Sequence, residues 1–208
     1  VYTHTTAAVL RAKDSVMESI TALKNAELAG AMCYEALRGT TKALDPRIHA
    51  NKHHEEQGSS ADNLRRMLAG SNICENHVND KVQDAYVMRC MPHIHGAAKK
   101  LVKEAYEVIV DEMHSVSDNP EIFAEGENDG VALMSGNFDG SFVGAHADMI
   151  SMACAIIGKV VERGTDRMVN RNLNDGLPAF LVSNPGLNSG FMIPQYTAAG
   201  LMNEIKHL

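Results

Sequence analysis

One amphipathic pattern near the start of the chain limits its architecture more than any other feature. Val9, Ala12, Val16, Ile20, Leu23, Ala26, Gly30, Tyr34 and Leu37 recur at steps of three or four. That spacing places all nine on one face of an α-helix. The pattern predicts a helix from about Thr5 to Leu37, stopping at Gly39 as a C-cap. About 33 residues at 1.5 Å each make a rod of roughly 50 Å. A rod of that length exceeds a small monomeric globule and suits a bundle or a helical oligomer core.

The rest of the chain reads as further helices around that rod. Asp45-Pro46 opens a second region, Ser59 or Ser60 caps a helix running to Leu68, and Gly70-Ser71-Asn72 is a break. Val78 to Met91 is partly helical in this reading and is interrupted at Pro92. From about Gly96 to Met113, Ala98, Leu101, Val102, Ala105, Val108 and Ile109 form another apolar face. Ile122–Ala124 and Val131–Met134 flank a Gly- and Asp-rich loop and predict a small hairpin. Phe142 to Val161 is apolar on almost every side, the mark of a helix buried among others. Its continuation to Asn172 turns polar, and a last helix starts at Phe191. The expected fold is all-α, a long-helix bundle with one small hairpin, in a single mostly helical domain over residues 1–208.

Charge and cysteine content narrow the function classes. Asp and Glu outnumber Lys and Arg by 26 to 19, and the net charge is -7. No basic block stands out, so nucleic acid and anionic membrane are not expected partners. No run of about 18 apolar residues is read as a membrane span. Cys33, Cys74, Cys90 and Cys154 are scattered and read as reduced thiols of a cytoplasmic protein. Both ends read as cut, so a piece of a longer protein is expected.

Few polar groups stand out as chemical. His53, His54, Glu55 and Glu56 carry ligand chemistry, but sequence neighbours point to different faces of a helix, so a solvated turn is expected and no metal. His93 and His95 lack an evident third ligand. Gly186 to Gly190 lacks the Lys of a phosphate loop and reads as a tight turn into Phe191–Gln195. Gln83, Tyr86 and Arg89 are more telling. Steps of three keep them on roughly one helical face. Arg is a forked carboxylate binder and Tyr a proton relay. A structural polar network is the competing reading. Glu204, alone in the last helix, reads as a surface acid.

Several stretches together change that balance. "VQDAYVMRC" from Val82, "SVSDNPEIF" from Ser115, "SGNF" from Ser135, "GLPAFL" from Gly176 and "GLNSGFMIPQYTAAGLMNEIKHL" from Gly186 follow in one order. In that order and spacing the chain resembles the aromatic amino acid lyases, their histidine ammonia-lyase branch most closely. The resemblance covers nearly the whole chain. It implies an α-helical homotetramer that eliminates ammonia from histidine, phenylalanine or tyrosine to give the α,β-unsaturated acid. It implies an electrophilic 4-methylidene-imidazole-5-one (MIO), formed from an internal Ala-Ser-Gly. By resemblance Arg89 holds the substrate carboxylate, Tyr86 lies beside the electrophile, and Gln83 is a polar partner. Phe138 packs near the electrophile, Glu204 faces the substrate amine or imidazole, and Asn188 and Gln195 brace the pocket.

Three departures qualify the match. Met91 stands where the family usually has Gln, Asp139 where His is frequent, and Ser135-Gly136-Asn137-Phe138 lacks a second Gly. These point to altered substrate preference or reduced activity. No Ala-Ser-Gly occurs in the 208 residues. The expectation is an ammonia-lyase segment that is inert alone. The alternatives are an aromatic amino acid aminomutase and a non-catalytic helical assembly module.

Overall fold

A computed structural model describes residues 4–125 and 129–207. Eight helices and one hairpin make up its regular structure among the described residues. The first helix, α1, spans His4–Ala36, within a residue or two of the predicted rod. Its end differs in detail. The Gly39 N–H donates to Tyr34 C=O at 2.7 Å and the Arg38 N–H to Glu35 C=O at 3.1 Å. Arg38, not Gly39, takes the left-handed conformation at φ 49°. This is a Schellman closure with Arg38 in the position that usually holds glycine. Gly39 is needed for room instead, because a Cβ there would sit 2.7 Å from the Tyr34 ring.

The chain then makes α2 (Pro46–Ala50) and α3 (Glu55–Met67). Asp45 caps α2, its carboxylate accepting the Arg47 N–H at 2.9 Å, with Pro46 in the first turn. The sequence reading placed the start of α3 at Ser59 or Ser60. It begins at Glu55, so Gly58 and both serines lie inside the helix. Ser60 and Ala61 face the core and are fully buried, while Ser59 is exposed. After α4 (Asn72–Asn76) come the one-turn α5 (Tyr86–Arg89) and α6 (Met91–His114).

Pro92 was expected to interrupt the helix. It opens α6 instead, where its missing N–H would have no intrahelical partner anyway. The hairpin forms as expected from β1 (Glu121–Glu125) and β2 (Asp129–Leu133), antiparallel with Phe123 opposite Val131. Residues 126–128 of its loop lie outside the described residues. Then come α7 (Ser141–Val169) and α8 (Met192–Ile205).

The chain groups into two compact units, Val1–Ile20 with Leu101–Ile150, and Thr21–Lys100 with Ser151–Leu208. The first buries Val9, Ala12 and Val16 of α1, Val102, Ala105 and Ile109 of α6, and Val143 and Ile150 of α7. The second has a core of Tyr34, Leu37, Leu44, Leu64, Leu68, Met88 and Met91. By length and composition α7 is apolar enough to cross a membrane, which corrects the expectation that no such run is present. Nor is it buried all round: Phe142, Met152 and Val161 are exposed.

Two contacts in the second unit set how closely its helices approach. A Cβ on Gly96 of α6 would lie 2.6 Å from the backbone N and Cα of Gln57 in α3. Only glycine permits that approach. Beside it, Glu27 of α1 is buried, paired with Lys99 Nζ at 2.6 Å and accepting from Asn63 Nδ2 at 2.8 Å. Removing either partner would leave a buried carboxylate under-compensated.

Gly96→Ala is expected to lower stability by about 1–3 kcal/mol, the range for overpacking against a rigid backbone, read as a drop in the urea midpoint. A second prediction concerns pH. His95 is 1% exposed and its ring nitrogens have no hydrogen-bond partner among the described residues. Burial, with Lys99 adding to it and Glu27 opposing, holds its imidazole at about 4, below the ordinary histidine range. The folded value lies below the unfolded one, so this contribution is complete above about pH 6.5 and is lost as pH falls toward 4. The loss reaches about 3 kcal/mol. Urea unfolding at pH 7 and pH 4.5 should show it, and His95→Leu should shrink the difference.

Candidate active site

The stretch from Lys81 to Met91 is pinned to the end of α1 by a buried polar network. Asp84 is buried, its carboxylate accepting the Thr40 N–H at 2.6 Å, with Lys81 Nζ 3.8 Å away. Burial pushes the Asp84 carboxyl above its usual range, and the Thr40 bond opposes that rise. Lys81 also donates to Leu37 C=O at 3.0 Å and pairs with Asp175. Below this, the Tyr34 hydroxyl donates to Met88 C=O at 2.8 Å, and both side chains are buried. The α5 turn is therefore held from inside, leaving its other face outward.

That outward face carries Tyr86 and Arg89. Tyr86 is 69% exposed. The Arg89 guanidinium carbon lies 5.9 Å from the centre of the Tyr86 ring, within cation–π range. Arg89 Nε is buried and has no hydrogen-bond partner among the described residues. A buried guanidinium donor left unpaired is costly, and its fork fits a carboxylate. Tyr86 and Arg89 thus lie side by side on α5. Gln83 does not join them. Ala85 is extended at ψ 153°, so the helix starts after Gln83, which is exposed in the preceding bend.

Tyr86 also lines an open cleft of about 580 Å³, a size typical of small-molecule sites. Its walls are Ala85, Val87, Ile94, Ile156, Val160 and Leu173, with Lys159, Arg163, Asp166 and Arg167 among the polar residues. Arg89 is not part of this lining. Sequence reasoning missed the α7 cations, because Glu162 to Asn172 read only as the polar end of a helix. The missed signal was Lys159, Arg163 and Arg167 at steps of four, one helical face.

The other predicted residues take separate places. Gln195 of α8 is half-buried and donates to Glu162 at 3.2 Å, while Arg163 pairs with the same carboxylate. It ties α8 to α7. Asn188 is exposed and donates to Ser183 C=O at 3.1 Å, closing the Gly-rich turn. The role expected of Gly186–Gly190 as a tight turn is seen directly. Gly190 has φ 49°, and a Cβ there would collide with Phe180 C=O. Glu204 is exposed on α8. Phe138 is exposed in the turn after the hairpin, in the other compact unit. Among the described residues no cluster of three or more His, Cys, Asp or Glu could hold a metal. His49 and His93 do meet, rings 5.7 Å apart, but His49 already bonds Gln57 and Ala43 C=O.

The fold and site define a class: a long-helix protein presenting a paired phenol and guanidinium on a rigidly held turn. Comparison with known proteins gives the family. The family model for aromatic amino acid lyases matches residues 3–208, and the chain belongs to that family. It is 42% identical over 186 residues to a histidine ammonia-lyase of Treponema denticola, covering 89% of this chain and 36% of that enzyme. The solved histidine ammonia-lyase of Trypanosoma cruzi superposes with a TM-score of 0.85 at 35% identity, covering 96% of this chain and 36% of that one. A tyrosine aminomutase of Streptomyces globisporus gives 0.90 at 28% identity, covering 98% and 42%. The chain thus spans well under half the length of the relatives it matches.

Tyr34→Phe tests the anchoring of α5. Losing the hydroxyl takes a buried donor from the Met88 C=O, leaving only the Cys90 N–H, at a cost of about 1 kcal/mol. A lowered Tm should accompany faster amide exchange in residues 86–90.

Proposed function

We propose that this chain is the central and C-terminal helical part of an ammonia-lyase acting on L-histidine or another aromatic amino acid. The observation that carries the reading is half-buried Arg89, whose buried Nε is unpaired among the described residues and whose guanidinium carbon lies 5.9 Å from the centre of the Tyr86 ring. Arg89 would take the substrate carboxylate in a forked pair, fixing the amino acid by its acid end. Tyr86, exposed on the same turn, would stand beside the reacting carbons with its hydroxyl placed to move a proton. Glu204 would face the amine or the imidazole, and Phe138 would pack on the substrate side. Gln83 would add a polar contact, with Asn188 and Gln195 bracing from behind.

The electrophile implied by the family, MIO, would come from an Ala-Ser-Gly that these 208 residues do not contain. The residues present fit such a group: an exposed phenol and an unpaired buried donor share one turn, and neither is used up internally. When formed, the group supplies electron-pair acceptance from the substrate. This chain would supply carboxylate binding, orientation and proton handling.

A homotetramer built on the long helices and a cytoplasmic setting belong to the same proposal. Leu10, Met17, Leu28 and Met32 leave a row of exposed apolar side chains along α1, a surface suited to packing against other helices. A second reading, an aminomutase, is favoured by the likeness to the tyrosine aminomutase. Product analysis separates the two. In the full-length protein, Arg89→Ala should lower kcat/KM by about 30-fold, near 2 kcal/mol. Absorbance of the unsaturated acid with histidine, phenylalanine and tyrosine in turn reads this, and unchanged kinetics would refute the role.

A further inference from the structure

The cleft beside Tyr86 carries more positive charge than its own acids neutralise. Arg163 is matched twice, by Glu162 and by Asp166 at 3.4 Å. Those two carboxylates are thereby committed, and Glu162 also accepts from Gln195. Arg167 differs: its Nε is buried and has no hydrogen-bond partner among the described residues. Asp84, which Arg167 acts on electrostatically, is already bonded to Thr40 N–H and faces Lys81. Lys159 is exposed one turn from Arg163 on α7. The remaining walls are aliphatic, and the cleft has room for a body of ring size.

We propose that this cleft is a binding site for a monocarboxylic acid with an apolar body, held by Arg167 and assisted by Lys159. The carboxylate pairs with the Arg167 guanidinium, and the body lies against Ile156, Val160 and the Tyr86 ring. The same charge pattern works against an amino acid. An α-ammonium would enter a cleft whose only acid, Asp166, already serves Arg163. The preferred ligand therefore lacks the amine. Identifying it as a deaminated aromatic acid rests on the lyase reading, and the cleft then recognises the product rather than the substrate. Arg89 itself is not in the cleft lining, and Tyr86 is common to the cleft and to the Arg89 pair.

Calorimetric titration of the 208-residue chain tests this without any turnover. The probes are trans-cinnamate, trans-cinnamamide, L-phenylalanine and octanoate. Cinnamate should bind saturably, about 10-fold or more tighter than cinnamamide or phenylalanine, as expected for one charge-assisted pair. Arg167→Gln should weaken cinnamate by about 10-fold or more, Lys159→Gln by about threefold, and the exposed control Arg171→Gln not at all. Circular dichroism checks that each variant folds. If Arg167→Gln unfolds, the cinnamate-to-cinnamamide ratio and the Lys159 variant decide. No saturable binding, equal binding of cinnamamide, or binding unaffected by both variants overturns the site. Tighter binding of octanoate than cinnamate overturns its assignment to an aromatic acid. The lyase reading fails separately, on the Arg89 kinetics.

Discussion

The hydroxyl of Tyr34 is the interaction on which the rest of the second unit turns. It sits in the last turn of α1, fully buried, and reaches Met88 C=O across 54 residues of sequence. A one-turn helix has almost no stability of its own. The α5 turn exists because Tyr34 and Asp84 hold it from beneath. The outward placement of Tyr86 and Arg89 is therefore a property of α1, not of α5. The long helix both supplies core and aims the site.

Much of this was legible in the sequence, and the limits have physical causes. The α1 rod was readable because nine apolar positions over 29 residues leave no competing period. The hairpin was readable from its Gly- and Asp-rich loop. The start of α3 was not, because its opening residues Glu55, Glu56 and Gln57 are polar and Ser59-Ser60 mimics a cap. There the close crossing at Gly96 overrides the local signal, since Gln57 is buried by a neighbouring helix. Pro92 misled for a related reason. A proline ends one helix or begins another, and the local sequence does not say which.

The site was half legible. Spacing of three placed Tyr86 and Arg89 together, but could not show that Ala85 is extended and leaves Gln83 behind. The family resemblance supplied Phe138, Asn188, Gln195 and Glu204, which periodicity alone would have left as turn and surface residues. Met91, where the family usually has Gln, is buried with its sulfur against Gly30. That departure is absorbed in the core, with the side chain directed away from solvent.

The contacts between α7 and α8 have a mechanical consequence. Gln195 is hooked to Glu162, and Met202 lies where a Cβ of Gly158 would be. These two fastenings are seven residues apart on α8 and four apart on α7, in opposite chain directions. A helix fastened at two heights cannot slide along its neighbour or rotate about its axis without releasing both. The vertical level of the carboxylate at 204, two residues past the second fastening, is thus dictated by a notch and a hook on another helix. Shortening α7 by one residue between them would put the two out of step.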